Sequence, residues 1–235
     1  MKISVIIPVL NECEQLPRTL ALLKSQISNA EIIVVDGGSA DGTREWLATQ
    51  AGILLVASER GRGRQLQAGA RIATGEILLF LHADCALPDK AFAALHQALS
   101  DPAVAGGAFL IRFAEQRPRS LALIAKGINT RTRVTRTATG DQGIFVRREI
   151  YEASGGFEAW PLFEDVRFVT HLKRQGKFAI ILNPMVISGR RYITNGPWRT
   201  TFLMYALRVG YWLGVPPAKL YDWFADVRAH LQNVP

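Results

Sequence analysis

Five short polar segments carry the residue types that could do chemistry together. They are Asn11-Glu12, Asp36-Gly37-Gly38-Ser39, the stretch from Ser58 to Arg64, His82-Ala83-Asp84 and Phe163-Glu164-Asp165. An ionised carboxylate is a pure acceptor with charge assistance, so Glu12 and Asp36 suit a base or ribose hydroxyls. Asp84 suits a hard divalent cation such as Mg²⁺ or Mn²⁺, which takes one or two carboxylates together with substrate phosphate oxygens. Arg60, Arg62 and Arg64, separated by Gly61 and Gly63, put three guanidinium forks on one flexible loop, and such forks match phosphate. A carboxylate at Glu164 or Asp165 can take a proton from an attacking hydroxyl held about 2.6–3.2 Å away.

Each segment also has a plainer reading. Asp36 can simply open the Asp36-Gly37-Gly38 turn, and Asp41 can cap the helix beginning near Thr43. Capping is the better account of Asp41, and chemistry the better account of Asp36. Asp84 can be a turn residue ahead of a helix starting near Pro88 and Asp89. His82 alone reads as a hydrogen-bonded strand-end residue. Glu164 and Asp165 can owe their place to the dipole of the helix they begin.

The elements that must position these residues follow from hydropathy. Ile3 to Val9 is a near-continuous apolar run, as expected of a strand buried on both faces. Leu16, Leu20, Leu23 and Ile27 recur at helical spacing. Strands are expected over Glu31–Val35, Ile53–Ala57 and Ile77–Leu81, with helices over Thr43–Gln50 and Gln65–Ala73 between them. This βαβαβαβ order predicts an α/β fold with a mostly parallel twisted sheet covered by helices on both faces. Such sheets bind ligands at the carboxyl ends of their strands, where the first four polar segments lie.

After Asp101, Val104–Phe113 reads as a strand and Leu121–Thr130 as a helix. Gly143–Val146 reads as a short strand running into a helix near Glu149. Glu164–Arg174 reads as a helix, followed by two strands near Phe178–Leu182 and Met185–Ile187. From Pro197 on, the chain is helical and aromatic. With no repeat or linker, a single sheet-based domain over 1–195 is expected, and 196–235 forms a helical tail on it.

Composition is that of an ordinary globular chain: 235 residues, 49% hydrophobic and 20% charged, which excludes disorder and low-complexity scaffolds. Cys13 and Cys85 make neither a disulfide framework nor a zinc pattern, which favours a reducing compartment, and no export signal is visible. The longest strongly apolar stretch, Phe202 to Leu213, is interrupted by Arg208 and falls short of the roughly 18 residues a membrane span needs. Net charge is +8, and Arg112 to Arg199 holds 16 Lys/Arg against 7 Asp/Glu. A basic half beside a nearly neutral one implies an anionic partner. Trp198, Phe202, Tyr205, Val209 and Trp212 form a stripe at helical spacing in the tail. Mixed with Arg199 and Arg208, it suits a membrane interface or a second subunit, or else a doubly buried helix.

Taken in order, the motifs resemble the family 2 glycosyltransferases, which have the GT-A fold. The carriers are Ser4-Val5-Ile6-Ile7-Pro8 with Asn11-Glu12, Ile32 to Thr43, and Ala73-Thr74-Gly75-Glu76 leading to Leu81-His82-Ala83-Asp84. Gly155-Gly156-Phe157 followed by Glu164-Asp165 completes the set. The resemblance implies a nucleotide-binding half over 1–100 and an acceptor half over 101–195. It implies that Pro8, Asn11, Glu12 and Asp36 hold the nucleoside of a UDP- or GDP-type sugar donor, with Arg64 and His82 nearby. Asp84 would ligate Mn²⁺ or Mg²⁺, and Asp165, with Glu164 beside it, would be the base of an inverting transfer. His82 stands where the family's DxD motif has its first aspartate, removing one negative charge beside the metal.

Leu81-His82-Ala83-Asp84, Gly140-Asp141-Gln142-Gly143 and Ser188-Gly189-Arg190-Arg191 also resemble a bacterial subgroup called transferase 2. Its genes are associated with radical-SAM and selenium-domain genes, and some members are labelled arsenosugar-biosynthesis glycosyltransferases. By that likeness Gly140, Asp141 and Gln142 face the acceptor, and Arg190 and Arg191 close on the diphosphate. The implied setting is cytoplasmic, at or near the inner face of the membrane, with no nucleic acid partner. Two other readings predict different behaviour. A nucleotidyltransferase would carry a glycine-rich loop after the first strand, where Val9-Leu10-Asn11-Glu12 stands instead. A silent basic module would bind anionic membrane or nucleic acid in a steeply salt-dependent way and ignore nucleotide.

Overall fold

The computed structural model describes the backbone of residues 1–27 and 30–232, and the side chains of these up to 225. The last three residues of the tail expected over 196–235 lie outside the described residues. Seven strands form one sheet: β1 (Ile3–Val9), β2 (Ala30–Asp36), β3 (Ile53–Ala57), β4 (Ile77–Phe80), β5 (Val104–Phe113), β6 (Ile144–Arg147) and β7 (Lys177–Ile187). Their order is β3-β2-β1-β4-β6-β5-β7. All neighbours run parallel except that β6 is antiparallel to both β4 and β5.

The continuous apolar run of β1 is explained by its central place. Ile3, Val5, Ile7 and Val9 feed one core with Leu16, Leu20 and Leu23 of α1 (Leu16–Gln26). Ile6 feeds the opposite core with Ile33, Val35, Leu78 and Phe80. There it meets Leu66 and Ala70 of α3 (Arg62–Ile72), Tyr151 of α6 (Arg148–Ala153) and Val169 of α7 (Glu164–Gln175). Side chains of a strand alternate between faces, so one apolar run serves two layers. Pro8 pairs with Val35 of β2, beyond the point where β4 stops pairing with β1. Its missing N–H therefore costs no ladder bond on that side.

Two expected element boundaries need correction. Phe178–Leu182 and Met185–Ile187 belong to one strand, β7, whose register against β5 shifts between Phe109 and Ile111. Asn183-Pro184 reads as a break, but β7 is the sheet's edge, where proline is tolerated. The second helix after a glycine loop, α3, begins at Arg62 and not at Gln65.

The remaining helices are α2 (Thr43–Ala48), α4 (Ala91–Ala98), α5 (Ser120–Thr135), α8 (Arg190–Asn195), α9 (Pro197–Trp212) and α10 (Pro217–Gln232). A small third core, with Phe163 and Val166 against Leu207 and Leu220, fastens α9 and α10 beside the start of α7. The aromatic stripe faces outward: Phe202 is 70% exposed and Trp212 66%. A doubly buried α9 is thereby overturned. None of the described helices is long and apolar enough to cross a membrane.

Candidate active site

The loop after β1 and the loop after β2 are laced together. The Asn11 amide donates to Ser39 Oγ at 2.9 Å, and Ala40 N–H donates to Asn11 Oδ1 at 2.8 Å. Asp41 accepts from the backbone of Cys13 and Thr43, each at 3.0 Å, so it is both a cap and a tie. Asp36 is buried at the end of β2, its carboxylate accepting from Gly38 N–H at 3.2 Å and Ser39 N–H at 3.1 Å. That is the turn-opening geometry. It rigidifies the carboxylate at the end of β2.

Asn11, Glu12, Asp41 and Arg190 line a cavity of about 340 Å³ at this rim. Burial, then the charges of Asp84 and Asp41, push the Glu12 carboxyl up, against the pull of Arg190. Glu12 and Asp84 therefore sense each other across the strand ends. Arg191 lies 5.8 Å from the ring of Phe224 on α10.

Ligand atoms of His82, Asp84 and Cys85 lie within 4.8 Å of one another. The donor set fits a divalent cation through the Asp84 carboxylate and one imidazole nitrogen, where added positive charge would also relieve the repulsion at Glu12. Cys85 fits less well, because burial and then Asp84 push its thiol well up, which keeps it protonated and a poor ligand.

His82 connects this rim to the far side of the site. Its buried Nε2 has no hydrogen-bond partner among the described residues, and it crowds Gly140 so closely that a Cβ there would sit 2.6 Å away. Burial, then Arg62, holds the imidazole below its usual range, so the ring is neutral near pH 7. Gly140 begins a short 3-10 turn, Gly140–Gln142, which the sequence reading did not foresee. Its amide donates to Asp165 Oδ2 at 2.7 Å, while Val166 N–H donates to Asp165 Oδ1 at 2.7 Å. Asp165 is thus aimed by two backbone amides. Gln142 is fully buried and spends its amide on Phe109 O, Thr132 Oγ1 and Thr139 N, so it shapes the turn. Asp141 keeps one buried oxygen without a partner.

The arginine loop divides its labour. Arg64 pairs with Glu59 at 2.5 Å on the exposed side. Arg62 turns inward: its Nε donates to Glu164 Oε1, and a terminal nitrogen lies 3.7 Å from Asp165 Oδ2. Burial pushes the Glu164 carboxyl up despite this partner. The approach depends on Gly63, since a Cβ there would lie 2.2 Å from the carbonyl oxygen of Glu158. Sequence reading puts Arg64 and not Arg62 in the site, because nothing in the local pattern separates the two arginines before Glu164 and Glu59 are brought to them.

A mostly parallel sheet with carboxylates on its strand ends, facing a helix-borne Asp across an arginine loop, defines a GT-A type transferase fold. Residues 4–154 match the family described as Glycosyl transferase family 2, and the chain belongs to that family. Among curated relatives, glycosyltransferase AglE of Haloferax volcanii is 39% identical over 93 residues, 35% of this chain and 30% of that protein. The undecaprenyl-phosphate mannosyltransferase of Micrococcus luteus is 43% identical over 51 residues, 22% of this chain and 21% of that protein. The chain therefore spans under a third of the length of either relative. A mannosyltransferase from Pyrobaculum calidifontis, solved with GDP-Man and Mn²⁺, superposes with TM-score 0.66 at 24% identity, covering 99% of this chain and 70% of that one. Staphylococcus aureus TarS, solved with UDP-GlcNAc, superposes with TM-score 0.65 at 17% identity, covering 80% and 58%.

Proposed function

We propose that this protein transfers a sugar, with inversion, from a UDP- or GDP-linked donor to an acceptor hydroxyl. The observation that carries the reading is the continuity of the polar site. Glu12 senses Asp84, and His82 beside Asp84 abuts Gly140, whose amide aims Asp165. Donor-gripping and base-bearing groups thus share one site.

In this scheme Asp36, Glu12 and Asn11 hold the nucleoside, with Pro8 shaping the strand end beneath it. Arg190 and Arg191 close on the diphosphate, and Arg64, paired with Glu59, lies near the nucleotide. A divalent cation held by Asp84 and His82 would, when bound, supply positive charge against the departing diphosphate. An acceptor oxygen lone pair forms the new bond to the anomeric carbon as the bond from that carbon to the diphosphate breaks. The bonding pair leaves with the nucleoside diphosphate, and the acceptor proton passes to Asp165. Glu164 keeps Arg62 in place beside it. Gly140 and Asp141 form the acceptor wall, and buried Gln142 holds their turn from behind.

The HAD, GDQG and SGRR segments support membership of the transferase 2 subgroup. The outward aromatic stripe of α9 and the basic half support contact with the inner face of a membrane, or pairing of two copies through the tail.

A melting screen of UDP, GDP and their sugars, with and without Mn²⁺, tests the reading. A true donor at a hundredfold excess over its Kd stabilises by about 2.7 kcal/mol, roughly 5–10 °C in Tm. If every nucleotide leaves Tm unmoved under both conditions, the transferase reading is wrong.

A further inference from the structure

Helix α9 is apolar on two sides, and only one of them is covered. Leu207 is buried in the third core. On the opposite side Trp198, Phe202, Tyr205, Val209 and Trp212, with Leu213 just after the helix, are 45–79% exposed. Steps of three and four residues keep these side chains on one face. A continuous exposed apolar face of this length marks an interaction surface.

The face does not end with α9. Helix α5 packs against it, and Arg131 of α5 feels the charges of Arg208 and Tyr205 on α9. Leu123, Gly127, Arg131 and Val134 follow at spacings of four, four and three, so they share one row of α5. Leu123 is 60% exposed and Val134 77%. The side of α5 turned toward α9 thus extends the apolar surface.

The charge around it is one-sided. Residues 116–140, which include α5, hold six Lys/Arg, and residues 190–219, which include α8 and α9, hold five; neither stretch holds an Asp or Glu. Lys126, Arg133 and Arg199 are exposed on these helices. A second copy docked through this face about a two-fold axis would set the same cations against themselves. An anionic lipid surface complements them, and Trp and Tyr rings mixed with cations are favoured between headgroups and acyl chains. None of the described helices is long and apolar enough to cross a membrane, so such a contact lies in the plane of the surface.

We infer that the exposed faces of α9 and α5 seat the chain on an anionic lipid surface, with the aromatic stripe among the headgroups and the cations on lipid phosphates. This chooses between the two partners that the reading of the tail above leaves open, and it stands apart from the chemistry of sugar transfer. The third core ties α9 to the start of α7, so a chain seated this way holds the Asp165 side of the site in a fixed orientation to the lipid.

Flotation of the full chain with vesicles at about 0.1 M salt tests the inference. Phosphatidylcholine vesicles with about 30% phosphatidylglycerol should carry wild type, and pure phosphatidylcholine should carry about tenfold less or lower. Phe202→Ser combined with Trp212→Ser should weaken partitioning onto the anionic vesicles by about tenfold or more. Lys126→Gln, Arg133→Gln and Arg199→Gln together should weaken it further, at about fivefold for each cation near the surface. Leu54→Ser, an exposed position on the edge strand β3, should bind like wild type. All these side chains are exposed, so each Tm should stay within a few degrees of wild type. Equal binding to neutral and anionic vesicles, or unchanged binding by both combined variants, would overturn the inference. Light scattering without lipid should give a monomer. A dimer that Phe202→Ser with Trp212→Ser dissociates would assign the face to a second copy, and a monomer that ignores both vesicles would leave it to a partner protein; either result overturns the lipid contact. Nucleotide-sugar binding is measured on the same samples by melting. Its absence from wild type would sink the transfer reading while leaving the flotation result to stand on its own.

Discussion

Asp165→Asn should lower kcat by about 10²–10⁴-fold, the usual contribution of a positioned base, while leaving the Kd for the nucleotide sugar within about twofold. Asparagine cannot take the acceptor's proton, but it occupies the same volume at the start of α7. The substitution carries a side effect that must be separated from catalysis. Gly140 N–H and Val166 N–H each donate to a different oxygen of Asp165, and asparagine offers one acceptor where the carboxylate offers two. One amide is left unpaired, at a cost of about 1–3 kcal/mol. Turnover is therefore compared well below the variant's Tm. Turnover within a few fold of wild type there would remove Asp165 from the role of base.

Arg62→Met should destabilise the protein by about 3 kcal/mol in urea at pH 7. The Glu164 side chain is 1% exposed and has Arg62 as its ion-pair partner, so the substitution leaves a buried carboxylate uncompensated. The cost of breaking a buried pair is about 3–5 kcal/mol, taken here at its lower end because the Arg62 side chain is 38% exposed. The pH dependence has a definite sign. Burial already raises the Glu164 carboxyl above its ordinary value of 4.5, and loss of Arg62 raises it further. A raised acid disfavours the folded state wherever it must ionise, and the penalty fades as pH falls from the folded pKa toward 4.5. The gap between variant and wild type should thus narrow toward pH 4.5 and be widest above the folded pKa. Adding Glu164→Gln to Arg62→Met should recover most of the lost stability. A single variant as stable as wild type at pH 7 would mean that Glu164 does not depend on Arg62.

Much of this arrangement is legible in the sequence, for reasons that differ along the chain. The strands β1 and β3 through β5 announce themselves because their apolar runs are bounded by glycine or polar loops, and Val104–Phe113 matches the structure at both ends. The strand-end segments are legible because a parallel sheet has one ligand-binding edge. Other features depend on contacts between distant residues, and local pattern is silent about those. Pro184 is admitted into β7 only because β7 is an edge. Arg62 and Arg64 are indistinguishable as loop arginines until Glu164 is brought under one of them and Glu59 under the other. Arg208 reads as an interruption of an apolar stretch. Its burial becomes visible only when α9 is laid on α5. Gln142 looks like an acceptor contact in sequence, whereas its amide is consumed within the turn it stabilises.

Calorimetric titration of the matching nucleotide sugar in the presence of Mn²⁺ is the most direct measurement of whether the strand-end carboxylates form one donor site. Wild type should bind one equivalent. Asp36→Asn and Asp84→Asn should each weaken binding by about tenfold or more, the worth of one charge-assisted contact of roughly 1.5 kcal/mol. Full-strength binding by both variants would contradict the account, because the donor would then be held somewhere other than the rim of the sheet.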